Sequence, residues 1–132
     1  MVMKTPPAGY HTVAPYLTVR EAEQLIEFVR QTFGAEVRLH GISSAGGLHA
    51  ELTLGDSMIM IGGGPDIEVP KLAAIHVYVE DVDKVYKRAI EARATSLSEP
   101  IDQPYGDRMA TVKDLCGNIW YIARRVADVE QG

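Results

Sequence analysis

The chain is short of several things, and each shortage removes a class of function. With one cysteine, Cys116, it cannot close an internal disulfide, so nothing in its cysteine usage points to an oxidising compartment. No apolar run reaches the ~18–20 residues that span a bilayer. The stretch from Met1 to Gly9 lacks the apolar core of a signal peptide. Basic charge is also in deficit: 13 Lys and Arg stand against 18 Asp and Glu, for a formal net charge of −5. A nucleic-acid binder is expected to present a basic face, so nucleic acid is not an expected partner. These absences lead us to expect a cytoplasmic protein with no membrane partner. What remains is 132 residues, 46% hydrophobic and 23% charged, which suits one globular domain. A chain of this size buries roughly two-thirds of its unfolded surface, enough for a core without staples.

Periodicity supplies the elements. Thr12–Val19 alternates, with Val13, Pro15, Leu17 and Val19 on one face, and Pro15 suggests an edge strand. Thr18 and Glu21 have the spacing of a capping box. Ala22, Leu25, Ile26, Val29 and Phe33 then recur at helical spacing before Gly34, which predicts a helix over 20–33. A strand near Glu36–Ile42 follows. Leu48–Leu54 alternates strictly, Gly55-Asp56 suits a two-residue turn, and Ser57–Ile61 reads as the returning strand. Gly62–Lys71 reads as a linker. Its glycines are followed by Pro65 and Asp66, without the Lys and helix that a phosphate loop needs. The pattern then returns: a strand with Ile75, Val77 and Val79, and a helix capped by Asp81 with Val82, Val85, Tyr86, Ala89 and Ile90 on one face. A weak strand near Thr95–Leu97, a loop over Ser98–Asp107, and strands at Arg108–Lys113 and Ile119–Ala123 around an Asp114–Asn118 turn complete it.

Offset by about sixty residues, the two halves agree in apolar period. Ala14 falls on Ala74, Leu17 on Val77, Val19 on Val79 and Leu25 on Val85; slightly later, Ile59 falls on Trp120 and Ile61 on Ile122. Each half reads strand–helix–strand–strand–strand. With Pro15-Tyr16-Leu17-Thr18-Val19, Phe33-Gly34-Ala35-Glu36, His49-Ala50-Glu51-Leu52, His76-Val77-Tyr78-Val79-Glu80-Asp81, Tyr105-Gly106-Asp107-Arg108 and Asp114-Leu115-Cys116-Gly117-Asn118, the chain resembles the vicinal oxygen chelate superfamily. The likeness is to its small glyoxalase/bleomycin-resistance-like members. It departs from the family where Leu115 stands in place of a usual proline, and at Arg93, where a helix-ending glycine is common. The resemblance implies an α+β fold: two βαβββ modules forming curved mixed sheets around a cup, within a single domain spanning 1–132. The modules would cover 12–62 and 72–126, with a linker over 63–71. It also implies a homodimer.

Catalytic members of that superfamily hold a divalent metal at four strand positions. The resemblance puts these at Ala14, Met60, Ala74 and Tyr121. Two alanines have no donor, and a thioether is too soft for an oxygen-rich site. No metal and no cofactor are therefore expected. Alternation collects Tyr16, Thr18, His49, Glu51, Thr53, Met58, Met60, His76, Tyr78, Arg108 and Tyr121 on the face opposite the helices. Apolar walls with sparse polar groups suit a small-molecule pocket; a solvated face or a dimer contact is the competing reading. The expected ligand-binding residues are Tyr16, His49, Glu51, Met60, His76, Tyr78, Tyr105, Arg108 and Tyr121. Arg108 would anchor an anion, or else pair with Asp107 or Glu51. His49 and Glu51 are candidates for an acid–base pair, or for a hydrogen-bonded pair shaping the pocket. The expected function is metal-free binding of an aromatic or anionic small molecule, as in bleomycin-resistance-type members. The alternative is a glyoxalase-type lyase or isomerase using a metal or the His49–Glu51 pair.

Overall fold

In β1 (Tyr16–Val19), Leu17 and Val19 are fully buried while Tyr16 is half exposed, which realises the expected alternation. This comes from a computed structural model describing residues 3–43 and 46–128. Thr12–Pro15 lies outside the strand, although the Pro15 carbonyl accepts from the Met60 N–H at 2.9 Å. The chain divides into two compact units, Met1–Leu72 and Ala73–Gly132.

In the first unit α1 (Ala22–Phe33) follows β1 and buries Leu25, Ile26, Phe28 and Val29. The capping box does not form. Thr18 is committed to the sheet, its N–H and carbonyl paired with Lys71 at 3.2 and 2.8 Å, and the cap residue Glu21 makes no side-chain capping bond. β2 (Glu36–Ile42), β3 (Leu48–Leu54) and β4 (Ser57–Gly63) complete a sheet of order β1-β4-β3-β2. The β1–β4 pair is parallel and the others antiparallel. Ala50, Leu52, Ile59 and Ile61 are buried on the side where α1 packs. Each large aliphatic chain buried there contributes about 1.5–3 kcal/mol. Met58 belongs to the opposite face by alternation, yet it is only 4% exposed. The glycine run serves packing: a Cβ on Gly63 would lie 2.2 Å from the Val19 carbonyl oxygen, and its φ is +121°.

The second unit repeats the plan. β5 (Ala74–Tyr78), α2 (Val82–Glu91), β6 (Thr95–Asp102), β7 (Asp107–Lys113) and β8 (Ile119–Arg125) give the order β5-β8-β7-β6, with only β5–β8 parallel. Asp81 caps α2, accepting from the Lys84 N–H at 3.1 Å. Arg93, past the end of α2, stands at φ +76°, in the left-handed region that favours glycine. β6 extends through much of the stretch expected to be a loop. Pro100 is tolerated because β6 is an edge strand and its pairing with β7 is irregular between Ser98 and Ile101. The Asp114–Asn118 turn closes on a buried carboxylate. Asp114 accepts from the Cys116 and Asn118 N–H groups at 2.8 and 3.0 Å and from Trp120 Nε1 at 2.7 Å. Asn118 Oδ1 in turn accepts from the Ala73 N–H at 2.9 Å.

Candidate functional site

The face of the first sheet that α1 leaves uncovered carries a chain of polar contacts. Cross-strand register sets Tyr16 and Glu51 on either side of Met60, and His49 opposite Gly62. His49 and Glu51 share a face because they are two residues apart on β3. The Tyr16 hydroxyl lies 2.9 Å from His49 Nδ1, and His49 Nε2 lies 2.8 Å from Glu51 Oε2. A carboxylate only accepts, so His49 carries a proton on Nε2; in the neutral ring Nδ1 then accepts from the Tyr16 hydroxyl. Gly62 makes room for this: a Cβ there would stand 2.7 Å from the Tyr16 hydroxyl oxygen.

Tyr10 completes the chain from outside the sheet, its hydroxyl donating to Glu51 Oε1. That bond, and then His49, hold the Glu51 carboxyl below its ordinary range, while Glu51 holds the Tyr10 phenol above its own. The segment bearing Tyr10 walls a cavity of about 600 Å³ together with Pro6, Pro7, Ala14, Tyr16, Glu51 and Met60. Tyr16 also borders a cleft of about 1060 Å³ that runs to the first turn of α1, Gly46, Gly47 and Gly63–Ile67.

Of the residues singled out in the sequence, Tyr16, His49, Glu51 and Met60 come together here. His76, Tyr78 and Tyr121 come together on the second sheet. The His76 ring centroid is 4.7 Å from that of Tyr78 and 6.3 Å from that of Tyr121. Tyr105 lies in the β6–β7 turn with its hydroxyl 3.6 Å from the Met109 sulfur. Arg108 falls on the other side. It shares the parity of buried Ala110 and Val112, and its guanidinium forms a two-pronged bond to Asp83 on α2, at 2.8 and 2.9 Å. A third contact reaches Asp102 at 3.1 Å. Its partners are thus neither Asp107, which pairs with Arg125, nor Glu51, and it clamps a helix to a sheet instead of facing an anion. Tyr10 was missed because the residues before Thr12 have no period to read.

The sequence profile of the Glyoxalase/Bleomycin resistance protein/Dioxygenase superfamily matches residues 9–122. The chain belongs to this superfamily. An uncharacterised protein of Mycobacterium bovis is 31% identical over 130 residues, covering 89% of this chain and 85% of the relative. Among solved structures, TioX from Micromonospora sp. ML1 shares the fold at TM-score 0.71 and 23% identity, over 86% of this chain and 98% of that one. The fosfomycin resistance protein FosX of Listeria monocytogenes shares it at TM-score 0.64 and 15% identity, over 83% of this chain and 89% of that one.

The residues at the positions that the resemblance implies for the superfamily's metal do not fit one. Ala14 and Ala74 have no side-chain donor, and Met60 offers a thioether. Tyr121 binds a metal only as a phenolate, against an ordinary pKa of ~10. Among the described residues no group of three or more His, Cys, Asp and Glu is placed to hold an ion. Nor, among those residues, is any helix long and apolar enough to cross a membrane.

Proposed function

We propose that the protein is a metal-free, small-molecule-binding member of the superfamily, its ligand seated on the uncovered face of the first sheet. The observation that carries this reading is the Tyr16–His49–Glu51 chain opening on a cavity of about 600 Å³. Apolar walls from Pro6, Pro7, Ala14 and Met60 with a few convergent polar groups suit a small organic ligand. Arg108, the anchor expected for an anion, is bonded to Asp83 on the helix and does not line this cavity, and the tyrosines favour an aromatic ligand. The fosfomycin resistance of a protein sharing this fold supports a role directed at a small molecule. A cytoplasmic homodimer without a cofactor belongs to the same reading.

A thermal-shift and denaturation screen against planar aromatic compounds tests it. A ligand at a hundred times its dissociation constant adds ~2.7 kcal/mol of stability, and Tyr16→Ala abolishes the gain. Equal stabilisation of wild type and Tyr16→Ala shows that the site lies elsewhere. Stoichiometric divalent metal in protein purified without chelator, lost in a His49→Ala/His76→Ala variant, overturns the metal-free reading.

One observation favours a second reading. Hydroxyl, imidazole and carboxylate stand in the order of an acid–base chain, so His49 can take the Tyr16 proton while Glu51 fixes the ring. In that case Tyr16→Phe removes turnover and keeps ligand binding.

A further inference from the structure

Glu51 accepts at both oxygens. Oε2 is held from within the sheet by His49 Nε2, and Oε1 by a phenol that belongs to the chain's own amino-terminal segment. The two contacts differ in kind. His49 is two residues away on the same strand and is fixed by it. Tyr10 is 41 residues away, in a segment without helix or strand. Among the described residues, that phenol makes the one hydrogen bond from the chain before Pro15 to the sheet. The next tie is the Pro15 carbonyl, which accepts from the Met60 N–H at 2.9 Å. Among the described residues, the segment's hydrogen bonds to the sheet are therefore these two, one at the Pro15 backbone and one at the Tyr10 side chain. Its phenol reaches Glu51 beside the walls of Pro6, Pro7, Ala14 and Met60, where a bound aromatic would lie.

We propose that Glu51 is the recognition group for the hydroxyl of a phenolic ligand, and that Tyr10 is a built-in occupant which such a ligand displaces. The proposal rests on the small-molecule reading above and deepens it by naming the ligand class. A carboxylate accepts and does not donate. It rejects an anion by charge, and it has nothing to offer an aryl ether, which lacks a donor. A phenol is neutral at pH 7, carries one donor on a flat apolar body, and reproduces what Tyr10 presents. His49, itself bonded to Tyr16, holds the other oxygen of the Glu51 carboxylate, and neither of these two contacts involves Tyr10. An internal occupant weakens apparent affinity by the fraction of open protein: with one molecule in ten open, binding weakens about tenfold.

Isothermal titration with p-cresol and its methyl ether, 4-methylanisole, tests this on the full chain. The two probes share ring and methyl group and differ in the donor. Wild type is expected to bind p-cresol at least ~10-fold more tightly than the ether, because the hydrogen bond is to a charged group. Tyr10→Ala is expected to tighten p-cresol binding about tenfold by removing the competitor. Glu51→Gln, made in the Tyr10→Ala background so that no internal competitor is present, is expected to weaken p-cresol about tenfold and leave the ether unchanged. The wild-type comparison and Tyr10→Ala carry the test if Glu51→Gln fails to fold. Equal binding of the two probes to wild type and Tyr10→Ala overturns the assignment to Glu51 while leaving an aromatic site in place. Unchanged or weaker p-cresol binding in Tyr10→Ala overturns the displacement and makes Tyr10 part of the wall. Binding of neither probe to any of these proteins overturns both this proposal and the small-molecule reading.

Discussion

Where the first sheet sets Glu51 against Met60, the second sets Thr111 against Tyr121. The two sheets share strand order and register, so each position on one uncovered face has a counterpart on the other. Tyr16, which pairs with Met60, corresponds to His76, which pairs with Tyr121. His49 corresponds to Met109. The first face is thus a hydrogen-bonded chain ending in a carboxylate, and the second is rings and a thioether. The tyrosines added from outside the strands follow suit: Tyr10 docks on a carboxylate, Tyr105 on a sulfur. A repeated backbone lets one face specialise in donor recognition while the other offers apolar contact, because the helix side keeps the fold in both.

The largest difference to exploit lies in the turns that close the last hairpin of each unit. In the second, Asp114→Ala leaves Trp120 Nε1 and two backbone N–H groups without their buried acceptor. A loss of about 3–5 kcal/mol is expected in denaturant titration. In the first, Asp56 is exposed and, among the described residues, its side chain accepts from the Ser57 hydroxyl alone, at 3.2 Å, so Asp56→Ala is expected to stay within about 0.5 kcal/mol. Equal losses from the two substitutions dissolve the contrast.

A smaller effect comes from Gly62, whose counterpart opposite Tyr78 is Ala123. Gly62→Ala is expected to push the Tyr16 phenol off His49 at a cost of about 1–2 kcal/mol. Nitrogen NMR of the His49 ring, reading the loss of the bond to Nδ1, checks this. A variant that keeps that bond shows that Gly62 does not position Tyr16.

The smallest effect is on the docked segment, through pH. Glu51 is held below its ordinary 4.5, so the contact with Tyr10 stabilises fully above that pH and is lost as pH falls through the lowered value. Tyr10 is held above its ordinary 10.0, so the contact is present below that pH and is lost as pH rises through the raised value. Amide signals of Ala8–His11 are expected to shift at both ends of this window. Those of Met109 and Thr111, whose positions carry no carboxylate, are expected to stay flat through the acid limb. Parallel changes in both units point to global unfolding instead.

Much of this fold is legible in the sequence, because burial on one side imposes period two on a strand and 3.6 on a helix. Leu17, Leu52, Ile61, Trp120 and Ile122 are fully buried where the pattern put them. The grouping of Tyr16, His49, Glu51 and Met60 on one face follows from the same rule. Arg108 fails it for a specific reason. In Met109-Ala110-Thr111-Val112 the larger apolar residue, Met109, lies on the uncovered face and small Ala110 on the core side, so size misleads about parity. Thr18 fails because Lys71 claims its backbone across more than fifty residues.

By itself, the amino-acid order determined most of the elements, most of their sidedness and the repeat that makes two units of one plan. Those depend on local backbone geometry and on which side chains leave water, and both are written into neighbouring residues. Only the tertiary structure decided the partners: Tyr10 with Glu51, Tyr16 with His49 across Gly62, Arg108 with Asp83. A hydrogen bond needs donor and acceptor within about 3 Å, and for residues distant in the chain that depends on strand register and loop path. No local pattern encodes either.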